Sequence, residues 1–357
     1  MDKAVPSWYK AIMTELRLDH PLYLQPILME RVWGGNRLPA LFGRPDTPGK
    51  VIGESWEVVD RSQAQSMVLN GAVPETSLRQ LLERHPEQIL GQSLAALKPA
   101  RFPLLAKYID ASSALSIQVH PNNASAKGYD DSGKCECWVV VHAEPGARIV
   151  RGLQPGTTRE QFEQALQQNQ VEPLLHSFAA QVGDVVALPP GMVHALGAGT
   201  VVAEIQQNSD LTFRIHDYNR VDFNGHKREL HIEDALAVIR FAEHGDEFSG
   251  DMRADTATPL QRRRRAGVTT EHLLQGRYFD LYRYTLASGS HTVLEAAPAA
   301  PRILMVISGS GRLGRQTIKA GQTVLLSAVA RALGVSAAKG MAGSLTLLVS
   351  SPTAAVC

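Results

Sequence analysis

Three short segments of the chain concentrate residue types that bind metal ions. The first is Ser116-Ile-Gln-Val-His-Pro121, in which Gln118 and His120 stand two apart. On a strand that spacing puts both side chains on one face. The second, Lys134-Cys-Glu-Cys-Trp138, alternates in the same way, with Lys134, Glu136 and Trp138 on one face and Cys135 and Cys137 on the other. The third is Leu188-Pro-Pro-Gly-Met-Val-His-Ala195, whose Pro189-Pro190-Gly191 turn would aim His194 back at the end of a strand. Two imidazoles, a carboxylate and an amide oxygen make a mixed nitrogen and oxygen set, suited to zinc or another divalent first-row ion.

Each segment also has a plainer reading. A single histidine in a β-rich protein is more often a satisfied structural side chain than a ligand. Glu136 can pair with Lys134 on a solvated face. Cys-x-Cys is a possible thiolate pair, but no second cysteine pair exists. Small buried apolar side chains facing away from the site are the favoured reading for Cys135 and Cys137.

The elements that must position these residues are short. The chain has 357 residues, 29 of them glycine and 20 proline. Between these breakers lie β-rich runs: Trp138 to Val141, Ala147 to Val150, Asp184 to Leu188 and Thr200 to Ile205. Such spacing predicts sandwiches or barrels rather than alternating βα units. No glycine-rich nucleotide loop follows any of these strands. Helices are predicted over 76–84, 157–168 and 231–241, the second opened by a capping box of Thr157 with Glu160. Residues 244–266 read as a polar linker, and the arginines Arg262 to Arg265 as its solvated face. Strand-like runs resume at Tyr278 to Leu286, Ile303 to Ser308, Gln322 to Leu326 and Ser344 to Val349. A weak internal repeat relates Gly183 to Leu188, followed by His194, to Gly321 to Leu326, followed by Arg331. The second copy thus lacks the histidine.

Composition narrows the function. Lysine plus arginine is 36 and aspartate plus glutamate 35, which excludes a chain-wide field for nucleic acid or membrane surfaces. No apolar run approaches the about 18–20 residues of a spanning helix. Residues Met1 to Lys10 hold no uninterrupted apolar stretch of the kind a secretory signal needs. Three cysteines, an odd number, suit a reducing compartment. A cytoplasmic protein is expected.

The ordered segments resemble a known family. Gln118-Val-His-Pro121, Lys134-x-Glu-x-Trp138, Pro189-x-Gly-x-x-His-Ala195 and Glu204-Ile-Gln-Gln-Asn-Ser-Asp210 with a following arginine are similar to type I mannose-6-phosphate isomerase, a cupin-superfamily family. Arg31-Val-Trp-Gly-Gly35, Ile52 to Glu57, Arg101 to Lys107, Phe213 to Tyr218 and Arg228 to His231 extend the likeness over residues 21–241. The resemblance implies a mainly β fold of two cupin-type jelly-roll barrels with flanking helices. Residues 1–243 would form the catalytic domain, 244–266 the linker and 267–357 a second, metal-free barrel. It implies Gln118, His120, Glu136 and His194 as ligands of one divalent ion, zinc above others. Lys134 and Arg214 are implied as catalytic and, with Asp210, as substrate-binding. Lys227 and Arg228 are weaker phosphate partners. Glu54 and Trp56 would wall the site or fix the N-terminal segment. Cys135, Cys137, Phe213 and His216 depart from the family's usual residues, but none is an implied ligand.

The implied reaction interconverts mannose 6-phosphate and fructose 6-phosphate through an enediol. A divalent ion would stabilise charge on the sugar oxygens, and Arg214 would present a planar fork to the phosphate. The base remains open between Lys134, an unbound carboxylate and a water. Two other readings of the ligand set are an oxygenase-type cupin and a sugar-phosphate-binding cupin without activity. The partner is a small sugar phosphate, with no nucleic acid or membrane, and the chain a monomer or small homo-oligomer.

Overall fold

In the computed structural model of the chain, residues 17–69, 76–241, 256–340 and 343–356 are described. The readings for Met1 to Lys10, most of the expected linker and Cys357 lie outside them. The fold is mainly β, as expected. Its four large sheets are antiparallel, and each is hydrogen-bonded in an open order, so the halves are built from facing layers.

Two of these sheets hold the metal-ligand residue types. A six-stranded sheet runs in the order Val185–Leu188, Glu136–Ala143, Thr200–Gln207, Leu104–Ala111, Ile52–Val58, Ile27–Gly35. A five-stranded sheet runs Leu175–Ala179, Arg148–Leu153, His194–Leu196, Ile117–Val119, Phe213–His216. Trp138, Val140, Ile149, Leu196 and Val202 fill the space between them. Phe162, Ala235 and Ile239, from two helices and their flanks, cover the outer face of the five-stranded sheet.

The six-stranded sheet is buried on both faces; the front face mixes apolar residues with the buried charges Glu54, Lys107, Glu136 and Glu204, and the back face is apolar. Its back face presents Cys135, Cys137, Val139, Ala203 and Tyr108 to Leu281, Ile303, Met305 and Leu348 of a seven-stranded C-terminal sheet, within one continuous core. That sheet runs Leu22–Tyr23, Thr323–Leu326, Arg302–Ser308, Leu345–Pro352, Phe279–Leu286, Val268–Gln275, Gln261–Arg265. A four-stranded sheet closes its other side over Leu304, Leu313, Val324 and Leu347. The cysteines therefore face away from Glu136, as the alternation predicts.

Local details differ from the sequence reading. The Arg159–Gln167 helix is capped by Thr158, whose hydroxyl accepts from Gln161 N while Gln161 Oε1 accepts from Thr158 N. Thr157 instead donates to the Gln154 carbonyl at 2.8 Å and closes the preceding turn, which moves the box on by one residue. The Leu78–Arg84 helix starts with the Ser77–Gln80 capping box. The Ile232–Val238 helix stops three residues short of Phe241. The arginine run is no loose linker: Gln261–Arg265 is the outermost strand of the seven-stranded sheet. Arg331, opposite His194 in the weak repeat, pairs at the surface with Asp19 at 2.7 Å. No helix among the described residues is long and apolar enough to cross a membrane.

The two halves meet tightly at Gly321. A Cβ placed there would stand 2.3 Å from the Cβ of Phe42, at a backbone φ of +87°, and Arg44 donates to the Gly321 carbonyl. Gly321→Ala combines a forbidden conformation with a clash against backbone. It is expected to cost about 2–4 kcal/mol, read as a lower urea midpoint.

Candidate active site

The site lies between the six- and five-stranded sheets. In the five-stranded sheet Gln118 is the direct cross-strand partner of His194 on one side and of Arg214 on the other. Three residues distant in sequence are thus fixed in one row by backbone pairing. His120 follows immediately after its strand, and Gly191 N donates to the His120 carbonyl at 2.8 Å, which holds the Pro189-Pro190-Gly191 turn against it. Glu136 opens the facing strand of the six-stranded sheet, in register with Leu188 and Gln206.

His120, Glu136 and His194 converge: one ligand atom from each lies within 4.8 Å of the others, and all three are buried. Each imidazole is fixed by a main-chain carbonyl. His120 Nδ1 donates to Leu211 O at 2.9 Å and His194 Nδ1 to Met192 O at 2.8 Å. Each Nε2 therefore carries its lone pair into the site, the arrangement seen where histidine binds a metal. Burial, with the Lys134 ammonium beside it, drives His120 down to about 3, so its imidazole is neutral at pH 7.

The lone pairs face a carboxylate. His194 Nε2 is 3.3 Å from Glu136 Oε1 and His120 Nε2 is 3.5 Å from Oε2. Glu136 is fully buried, and neither oxygen has a hydrogen bond of good geometry. Burial raises its carboxyl, but Lys134 and the two histidines outweigh burial and keep it ionised. Electron-rich atoms held this close in a dry site need a cation among them. Lys134 Nζ supplies part of that, 2.7 Å from Glu136 Oε2 and 3.0 Å from His120 Nε2. No such charge lies between His194 and Glu136, and a divalent ion fits the donor set. Gln118 Nε2 is 3.3 Å from His194 Nε2, and a half-turn of the amide would put its oxygen into that set.

Around this centre runs a cleft of 470 Å³. Its walls bear a ladder of buried charges, two of which, Lys107 and Glu204, the sequence reading gave no role. Arg31 Nη2 lies 2.6 Å from Glu54 Oε2, Glu54 Oε1 is 3.0 Å from Lys107 Nζ, and Lys107 Nζ is 2.8 Å from Glu204 Oε2. Trp56 and Trp138 donate their indole N–H groups to Glu54 and Glu204. Burial and then neighbouring Glu136 push the Glu204 carboxyl up to about 7, against the pull of Lys107 and Lys134. A lysine inside Leu104-Leu-Ala-Lys-Tyr-Ile109 and a glutamate inside Thr200-Val-Val-Ala-Glu-Ile205 were the signals, since each is a lone charge in an apolar run.

The far end of the cleft is cationic. Arg214 donates from Nη1 to Glu229 O at 2.7 Å, while its buried Nε has no partner. Burial and the proximity of Arg228 weaken its hold on its proton. Arg228 and Arg220 both bind Asp217, which fixes them beside Arg214. Arg214, Arg228 and Asp210 line the cleft, whereas Lys227 does not. Trp56 faces the Glu54 carboxylate and is buried, so it supports the wall. A larger hollow of 800 Å³ lies behind the Pro189–Pro190 turn, but no carboxylate lines it and no ligand cluster opens into it.

Glu54 generates a prediction. Burial raises its carboxyl, but Lys107 and Arg31 prevail and bring it down to about 2. A carboxyl depressed on folding contributes stability above its unfolded value, here 4.5, and loses it as pH falls from there to about 2. Glu54→Gln leaves Lys107 and Arg31 short of a counter-charge. It is expected to cost about 3 kcal/mol at pH 7, with the deficit shrinking below pH 4, measured by denaturant titration at each pH.

Known proteins share sequence and fold with this chain. Residues 22–134 match the family model described as phosphomannose isomerase type I, catalytic domain. The mannose-6-phosphate isomerase of Streptococcus mutans is 35% identical over 301 residues, covering 83% of this chain and 87% of that protein. The probable mannose-6-phosphate isomerase GmuF of Bacillus subtilis is 36% identical over 304 residues, covering 83% and 88%. The crystal structure of mannose 6-phosphate isomerase from Bacillus subtilis superimposes with a TM-score of 0.79 at 30% identity, covering 93% of this chain and 99% of that one. A putative mannosephosphate isomerase from Archaeoglobus fulgidus, 22% identical with a TM-score of 0.70, shares the fold. At that identity over that length, the chain belongs to the type I phosphomannose isomerase family.

Proposed function

We propose that the chain is a metal-dependent aldose–ketose isomerase that interconverts mannose 6-phosphate and fructose 6-phosphate through an enediol. The observation that carries the reading is the convergence of buried His120, Glu136 and His194 beside a cleft that Gln118 and Lys134 line at one end and Arg214 and Arg228 at the other. Gln118, His120, Glu136 and His194 would hold the ion, which we assign as zinc because the set is mixed nitrogen and oxygen and the reaction needs no redox change. When bound, the ion polarises the sugar oxygens as a Lewis acid.

The residues of the chain do the rest. Arg214, with Arg228 braced behind Asp217, receives the dianionic phosphate at the cationic end. That anchor sets the distance from phosphate to reacting carbons, and so selects the length of the sugar. Asp210, on the cleft wall, accepts a sugar hydroxyl. Lys134 presents its ammonium to the oxygens that gain charge. Glu204, held near neutrality, carries the proton between C2 and C1. Cys135 and Cys137 are buried and in no disulfide, which supports placement in the reducing cytoplasm.

The test is a coupled assay for fructose 6-phosphate formed from mannose 6-phosphate, before and after chelation and with zinc returned. Turnover that vanishes on chelation and returns with zinc is the expected result. Turnover indifferent to chelation, or none with metal bound, would sink the reading. His194→Ala should lose bound metal and activity together. Glu204→Gln should keep its metal, lower kcat by about 10²–10⁴-fold and abolish the acid limb of the kcat/KM profile, expected near pH 7. An unchanged limb would return the base to Lys134 or a water.

A further inference from the structure

The Gln261–Arg265 strand forms the outer edge of the seven-stranded sheet, paired residue for residue with Val268–Gln275. Strand alternation divides its arginines between two faces. Charged residues on an exposed edge discourage pairing with other chains, which accounts for Arg263 and Arg265. It does not account for the opposite face, where Arg262 and Arg264 line a cleft of 460 Å³ facing Val141 of the six-stranded sheet.

Three features of this cleft point to a ligand. The first is its charge. Arg262 Nε donates to Glu271 Oε1 at 2.9 Å and Arg283 Nε to Glu271 Oε2 at 2.6 Å, so both oxygens of that buried carboxylate are engaged. Three arginines line the cleft against this one acidic residue; Arg262 and Arg283 pair with it, and Arg264 has no ion pair among the described residues. The second is preorganisation. Arg283 Nη1 also donates to Gly183 O at 2.9 Å, which fixes the cationic floor against the opposite wall. The third is a row of hydroxyls. Thr269, Thr285, Thr346 and Ser308 are successive cross-strand partners over four strands, and none of their hydroxyls has a hydrogen bond among the described residues. Opposite them the wall is aliphatic, with the side chains of Val141 and Val182.

We propose that this cleft is a second ligand site, distinct from the metal-centred one, that binds a phosphorylated polyol. The phosphate meets Arg264 and Arg262 as a charge-assisted acceptor. The hydroxyl groups meet the threonine and serine row, and the C–H face rests on the two valines. The volume lies within the range of small-molecule sites. An occupant would tie the C-terminal sheet to the strand that begins with Glu136.

Isothermal titration of the full-length, metal-loaded protein tests this with two probes, glucitol 6-phosphate and inorganic phosphate. Wild type, Arg264→Ala and Thr285→Val are compared. Any binding at the metal-centred cleft is common to all three and cancels. Wild type should show a class of sites that Arg264→Ala lacks, with glucitol 6-phosphate bound there at least tenfold more tightly than phosphate. Thr285→Val should weaken glucitol 6-phosphate and leave phosphate unchanged. Arg264→Ala should retain full isomerase activity. Identical isotherms for wild type and Arg264→Ala overturn the site. Equal affinities for the two probes overturn the assignment of a polyol.

Discussion

Glu136 is a carboxylate removed from water, and the arrangement of the N-terminal half follows from making that tolerable. An ion of this size loses many kcal/mol of hydration on entering a protein interior, and nearby cations repay it only when geometry is close. Lys134 is such a cation, two residues back on the same strand face. The two imidazoles increase the demand, because their Nε2 lone pairs are turned inward by main-chain carbonyls. The same concentration of electron density that makes the centre costly makes it selective for a small, highly charged ion.

The ladder behind Glu136 extends the same logic. Positive and negative groups alternate from Arg31 through Glu54 and Lys107 to Glu204. The alternation breaks where Glu204 stands near Glu136, and two buried carboxylates cannot both be comfortably ionised. Glu204 therefore holds its proton to about pH 7 while Glu136, with Lys134 against it, does not. Two chemically identical groups acquire different protonation states from their neighbours alone. Sheet register makes this possible, since Glu204 is the direct partner of Trp138 on one side and of Lys107 on the other.

Much of this was legible in the sequence, and for identifiable reasons. Period-two alternation placed Glu136 and Trp138 on one face and the cysteines on the other, because a strand offers no third choice. His120, Glu136 and His194 were legible as ligand types at suitable spacing. The roles of Lys107 and Glu204 were not, because which partner a buried charge finds depends on strand order, which local pattern does not encode. The capping box shifted from Thr157 to Thr158 because adjacent threonines compete for two jobs, and only the turn before them decides. The arginine run read as solvated linker because charge masks a strand's pattern. Pairing with Val268–Gln275 is what reveals it.

The short Leu22–Tyr23 strand pairs with Val324 and Leu325, some three hundred residues further along the chain. That pairing bears on how the molecule is made. The edge it completes is unavailable until most of the chain has left the ribosome, and the apolar back face carrying Cys137 and Tyr108 stays uncovered for as long. Contacts of such long range are slow to form, and a newly made N-terminal half would wait with a sticky surface open to solvent. The metal-binding half is thus not a self-sufficient module that folds during synthesis. Its maturation is tied to the completion of its C-terminal neighbour, and chaperone dependence should follow the length of that wait.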